Sequence, residues 1–205
     1  MSSFRRRMMM LSKKENVLPS EYRQLEYIAS NRKPFKTGFI PTIGCRIELT
    51  FQGSNKTANK AGAYFGCRTS YQNNHFYLSA SASSASATTI NMRIGWNKSD
   101  INMNVNVDAS DKHTYGINNG EVYIDDTVLY QNSGDFSPTA ELYLLAVNQN
   151  DTSIVGITSP VGDLYGSKIW DDNGLLVRDY IPVERLSDNT QGLYDFVHDV
   201  FITQS

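Results

Sequence analysis

In a chain rich in strand-forming residues, the first chemistry to seek is carboxylate chemistry, because two acids at nearby strand positions can attack a glycosidic bond from both sides. Glu121-Val-Tyr-Ile-Asp125 is the nearest approach to such a pair. Read as a strand, it puts both acids on one face about 13 Å apart at about 3.3 Å per residue, with Tyr123 between them. Glycosidases need their carboxyl groups about 5–9.5 Å apart. Hydrolysis is therefore not expected, and no catalytic residue is assigned.

Other reactive constellations are equally thin. His75, His113 and His198 fall in separate segments, so no Ser/His/Asp set can be picked out, and there is no glycine-rich phosphate loop. Cys45 and Cys67 stand apart without a CxxC spacing or a neighbouring histidine at ligand distance, so both read as small, unbridged core residues. Asp108, Asp111, Asp125, Asp126, Asp171, Asp172 and Asn173 supply the oxygens a calcium site would need. Acids and amides favour turns for local hydrogen-bonding reasons, and turn positions account for all seven. No metal or cofactor is expected.

Binding chemistry is better represented. Sugar recognition uses aromatic rings beside amides, and Tyr71, Asn73, Trp96 and Asn97 are the candidates for such a patch. The start of the chain offers a different kind of contact. Arg5, Arg6 and Arg7 can pair with carboxylates or phosphates, while Met8, Met9, Met10 and Leu11 present flexible apolar side chains suited to irregular grooves. Residues 1–17 are accordingly expected to be an extended anchoring arm. The formal net charge of -2 gives no overall field that would draw in nucleic acid, so none is expected as a partner. The apolar run at residues 8–11 is too short for a secretion signal, and no stretch approaches the roughly 20 apolar residues of a membrane span.

The elements that must position these residues read as strands almost throughout. Residues 19–30 suggest a turn passing into a strand, and residues 35–43, with Gly38 and Pro41, an edge segment. Cys45-Arg-Ile-Glu-Leu-Thr-Phe51 alternates at period two with Cys45, Ile47, Leu49 and Phe51 inward. Ile101-Asn-Met-Asn-Val-Asn-Val107 is the clearest strand, with asparagine on every outward position. Asn118-Asn-Gly120 and Asp171-Asp-Asn-Gly174 signal hairpins. Glu141-Leu-Tyr-Leu-Leu-Ala-Val147 is nearly continuous in apolar character, as expected of a central strand. Short strands separated by turn signals, with 12 Tyr and 9 Phe to fill pleated surfaces, predict an all-β, two-sheet antiparallel sandwich over residues 18–205.

Several segments carry a resemblance. Leu18-Pro-Ser-Glu-Tyr-Arg-Gln-Leu-Glu-Tyr-Ile28, Val122-Tyr-Ile-Asp125, Lys168-Ile-Trp170, Leu176-Val-Arg-Asp-Tyr-Ile-Pro-Val-Glu-Arg185 and Gly192-Leu-Tyr-Asp-Phe-Val197 with Phe201 resemble concanavalin A-like, laminin-G-like jelly-roll domains of phage structural proteins and gut bacterial surface proteins. Asn31-Arg-Lys-Pro-Phe35 departs from the glycine-rich stretch usual there. The resemblance implies a lectin-like (lectin/glucanase-type) jelly-roll sandwich whose last segment folds back to close the core. It further implies a non-enzymatic bacteriophage virion protein, such as a capsid decoration, head-fibre or tail-fibre component, assembled in the host cytoplasm. The expected partners are other virion proteins through the arm, sister subunits in a homo-oligomer with a trimer favoured, and a host-surface glycan. The alternative is a carbohydrate-binding module or receptor-binding lectin domain of a bacterial or phage surface protein.

Overall fold

A computed structural model describes residues 16–30, 33–53, 62–82, 89–150, 153–154 and 162–205, and every regular element among them is a strand. The first half of the chain forms Tyr22–Gln24 (β1), Ile28–Ala29 (β2), Phe35–Lys36 (β3), Arg46–Gly53 (β4), Gly62–Arg68 (β5), His75–Ala82 (β6), Thr89–Asn97 (β7) and Ser99–Asn106 (β8). There follow Lys112–Asn118 (β9), Glu121–Ile124 (β10), Thr127–Gln131 (β11), Tyr143–Leu144 (β12), Asn148–Gln149 (β13) and Ser153–Ile154 (β14). Gly162–Trp170 (β15), Leu176–Arg185 (β16), Thr190–Asp195 (β17) and Val200–Ile202 (β18) complete the chain.

These strands make two sheets. A ten-stranded sheet runs β11-β10-β9-β4-β15-β16-β17-β18, with β1 on β16 and β2 on β15; an eight-stranded sheet runs β14-β13-β5-β6-β7-β8, with β12 on β5 and β3 on β12. Pairing is antiparallel except between β13 and β5. The arrangement is the two-sheet jelly-roll sandwich that the sequence predicts.

Period-two alternation explains the core directly. On β4, Ile47, Leu49 and Phe51 are at most 1% exposed, and Cys45 just before it is fully buried. From the other sheet come Phe76 and Leu78 of β6, with Ile90, Met92, Ile94 and Trp96 of β7. The sheets are tied at the centre by the Tyr64 and Tyr115 rings, stacked with centroids 3.9 Å apart, and by Phe51 edge-on to Tyr64. Burial in this apolar layer pushes the Cys45 thiol up to about 12. Cys45 and Cys67 are both buried, and no disulfide joins them.

The turns follow their residue types. Asn119 and Gly120 both adopt positive φ (46° and 81°), as a two-residue hairpin turn requires, and Gly174 (φ 75°) closes the β15–β16 turn. The segment at residues 141–147 departs from expectation. Leu142 and residues 144–147 are fully buried and Tyr143 nearly so, yet only Tyr143 and Leu144 form a strand. The reason is a reversal: β12 runs antiparallel to β5 at Phe65 and Gly66, whereas β13 runs parallel to it at Cys67 and Arg68. Leu145 makes that reversal in the left-handed region (φ 62°), its amide held by the Tyr64 carbonyl at 2.7 Å. Residues 35–43 likewise contribute only a two-residue edge strand.

Tyr77 points away from the main core, yet it is fully buried, because its ring lies across Gly95 on the neighbouring strand. A methyl group at position 95 would overlap that ring. Gly95→Ala is therefore expected to destabilise the protein by about 1–3 kcal/mol, the usual range for overpacking, read as a lower midpoint in urea unfolding.

Candidate functional site

The ten-stranded sheet presents a polar outer face built in rows. Antiparallel partners place their side chains on the same face. With Ile47, Leu49 and Phe51 inward, the register sets Arg46 beside Trp170, Glu48 beside Lys168, and Lys168 beside Asp179, while Thr50 faces Gly166. The Arg46 guanidinium lies 4.5 Å over the Trp170 ring centroid and also pairs with Glu48. Tyr123 donates its hydroxyl to Glu48 Oε1 at 2.7 Å, its ring lying over Gly116.

Two hollows open on this face. The first, about 510 Å³, is lined by Arg46, Asn118, Asn119, Trp170 and the β15–β16 turn from Asp171 to Gly174. The turn is self-braced: Asp171 Oδ1 accepts from the amides of Asn173 and Leu175, both at 2.9 Å, and Asp172 is engaged by Thr42. The Leu175 amide, more than any other group, holds the Asp171 carboxyl below the usual carboxylate value. Two fixed carboxylates thus line the same hollow as a half-buried indole.

The second hollow, about 420 Å³, is a shelf bounded by Glu48, Thr50, Thr114, Tyr165, Lys168 and Asp179. The Asp179 side chain is only 7% exposed and lies 3.7 Å from Lys168 Nζ, while Asn16 donates to its Oδ2 at 3.4 Å. Together the two hollows join an aromatic ring, fixed carboxylates, primary amides and two cations. Such a surface suits a polyhydroxylated ligand, whose C–H faces lie on the ring and whose hydroxyls reach the polar rim. Among the described residues, no cluster of three or more His, Cys, Asp or Glu side chains could hold a metal ion.

The residues singled out in the sequence lie elsewhere. Tyr71, Asn73 and Asn97 gather at one end of the eight-stranded sheet, because Asn97 pairs with His75 and the His75 ring bonds to the Tyr71 carbonyl at 2.9 Å. Tyr71 is 69% exposed beneath the Arg68 guanidinium, 5.1 Å from its ring centroid. Asn73 bonds to Ser70, and Asn97 takes the left-handed turn position (φ 56°). Trp96 does not join them. It shares the inward face of β7 with Ile90, Met92 and Ile94, is 5% exposed, and packs against Phe76 and Phe136, so it offers no ring face to a ligand.

Behind Tyr71 stands a network that sequence reasoning missed. Asp100 accepts from His75 Nδ1 at 2.9 Å and from the Tyr77 hydroxyl at 2.5 Å, and it pairs with Arg93. Burial raises the Asp100 carboxyl, but these donors outweigh it and hold the group below its ordinary value. The network fixes the loop carrying Tyr71. The other two histidines are also paired with aspartates, His113 with Asp125 and His198 with Asp195, each at 2.8 Å.

Glu121 and Asp125 do not form the co-facial pair suggested by strand spacing. β10 ends at Ile124, and Asp125 turns left-handed (φ 52°) to engage His113 and the Thr114 amide. Arg5, Arg6, Arg7, Met8, Met9, Met10 and Leu11 lie outside the described residues.

No protein-family model and no curated protein matches the chain. Among solved structures, it is similar to a heptameric SAP-like pentraxin from Limulus polyphemus, at 14% identity and a TM-score of 0.50 over 75% of this chain and 76% of that one. A sialidase CBM40 module from Ruminococcus gnavus is similar at 11% identity and a TM-score of 0.48, over 72% and 90% of the two chains. Tailspike protein 2 of Escherichia coli O157:H7 bacteriophage CAB120 is similar at 10% identity and a TM-score of 0.47, over 72% of this chain and 22% of that chain. The pentraxin likeness is one of fold. No helix among the described residues is long and apolar enough to cross a membrane.

The two tryptophans differ in access, Trp96 buried and Trp170 half-buried at the cleft. Acrylamide is expected to quench the fluorescence of the Trp96→Phe variant, which retains Trp170, more strongly than that of Trp170→Phe. Equal quenching would show that the cleft does not expose its indole.

Proposed function

We propose that this chain is a non-enzymatic display module of a bacteriophage particle, a lectin-like sandwich that binds a host-surface glycan at the Trp170 cleft. The observation that carries the glycan reading is the half-buried indole, overlain by Arg46 and rimmed by the braced carboxylates and amides of the β15–β16 turn. Sugar recognition requires an apolar ring beside fixed polar groups, and the cleft provides both.

The absence of catalysis is part of the proposal. Glu48 is engaged by Arg46 and Tyr123, and Asp179 lies buried beside Lys168, so the carboxylates of this face serve as fixed acceptors. Attachment to the particle is assigned to the arm at residues 1–17, whose arginines make charge-assisted bonds to acidic groups and whose methionines fill an apolar groove. The phage assignment is supported by the resemblance of the closing segments, Leu176 to Arg185 and Gly192 to Val197, to phage jelly-roll domains.

The full chain is to be applied to an array of bacterial capsule and lipopolysaccharide glycans beside its Trp170→Ala variant. Binding to one glycan class, weakened tenfold or more by Trp170→Ala with the melting temperature held, supports the proposal. No bound glycan, or binding indifferent to Trp170, refutes the cleft. Changing Arg5, Arg6 and Arg7 together to Ser is expected to release the protein from particles without altering its fold. Full retention would show that attachment comes from the sandwich.

A further inference from the structure

β8 ends the eight-stranded sheet, and among the described residues it pairs only with β7. Among the described residues, the outward backbone N–H and C=O groups of Ser99–Asn106 therefore have no strand partner. Sheet edges are normally protected by shortness, by Lys or Pro, or by a bulge. β8 has none of these: it is eight residues long, contains neither Lys nor Pro, and keeps an unbroken register with β7. The ends of the ten-stranded sheet are guarded: β11 is five residues long with a register shift against β10, and β18 is three residues.

The side chains of β8 are sorted in a way that matters for what could pair with it. Ile101 and Met103 face the core but remain half-buried, while their β7 partners Ile94 and Met92 are fully buried, so the rim of the core lies open along this strand. On the outer face, Asn104 and Asn106 turn their carbonyl oxygens to β7, accepting from Asn91 and Thr89 at 3.1 Å. Their amide N–H groups are left to donate outward.

We propose that β8 pairs antiparallel with β8 of a second copy about a two-fold axis at Met103, joining two eight-stranded sheets into one. In this register Asn104 faces the partner's Asn102, Asn106 faces the partner's Asp100, and Ile101 faces the partner's Val105. Amide donors thereby meet amide or carboxylate acceptors on the outer face, and apolar side chains close the rim on the inner one. Moving the axis one residue along, to Asn104, would leave Asp100 and Ile101 facing residues beyond the end of β8 and shorten the ladder to Asn102–Asn106, which disfavours that alternative. A single strand edge buries less than the roughly 800 Å² per partner of a standard interface, so the pairing exchanges with monomer rather than locking permanently. The inference is independent of the glycan cleft, which lies on the other sheet.

Sedimentation velocity of the full chain is expected to show a concentration-dependent species of twice the 23.0 kDa monomer mass. Asn102→Lys combined with Asn104→Lys sets like charges against each other across the axis and should leave only monomer, with circular dichroism and melting temperature unchanged. Met103→Cys should form an intermolecular disulfide on mild oxidation, because residues on the axis lie within bridging distance of their own copy. Cys45 and Cys67 are buried and do not compete. A wild-type chain that stays monomeric, a dimer or trimer that survives the double lysine change, or cross-linking by Asn102→Cys but not by Met103→Cys would overturn the proposal.

Discussion

The outer face of the ten-stranded sheet exists because β15 is held between β4 and β16. Its register with β4 runs from Gly162 against Gly53 to Trp170 against Arg46, a pairing between segments more than a hundred residues apart in the chain. Hydrogen bonds of that range repay the entropy of closing a long loop only when the strand docks along its whole length. β16 then secures β15 from the other side and is itself paired with β17 and β1. It also reaches the opposite layer, since Arg178 Nε and the Tyr180 hydroxyl both donate to the Thr37 carbonyl, at 2.9 and 3.0 Å.

Everything on the face inherits this clamp. A one-residue slip of β15 would turn Lys168 and Trp170 into the core and bring Ile169 to the surface, so burial of Ile169 fixes where the indole stands. Arg46 on β4 and the Asp171 turn after β15 then meet at the same end of the sheet. Small residues keep the surface open: Gly116 admits the Tyr123 ring, and a side chain at Gly166 would press on the Tyr180 carbonyl. The cleft is thus a product of long-range register rather than of any local motif.

That origin explains what was legible in the sequence. Period-two alternation identified β4 and β8 and their inward residues, and Asn119-Gly120 and Gly174 marked hairpins, because these are local properties of the backbone. The nearly continuous apolar run at residues 141–147 has the character of a central strand, but burial and strand geometry are separable: the segment is buried while reversing direction at Leu145. Trp96 and Trp170 show the same limit in the site. Both sit in strand-like segments with polar neighbours, and only the side taken by the flanking residues, Ile94 with Trp96 and Ile169 against Trp170, separates a core indole from a surface one. That alternation was available in Lys168-Ile169-Trp170 and pointed outward. His75 meets Asp100 across β7, and His113 meets Asp125 at the β9–β10 hairpin, pairings that depend on strand register, whereas His198 lies three residues from its Asp195 in a turn.

Glycan binding at the Trp170 cleft, as proposed for this sandwich, is tested by following the two tryptophan indole N–H resonances of the isotope-labelled chain while titrating the glycan that it retains on an array. The Trp170 resonance is expected to move in proportion to occupancy and the Trp96 resonance to stay in place. Binding that displaces amide signals of the Ser70 to Asn74 loop while leaving Trp170 unmoved would contradict it, placing recognition on the eight-stranded sheet.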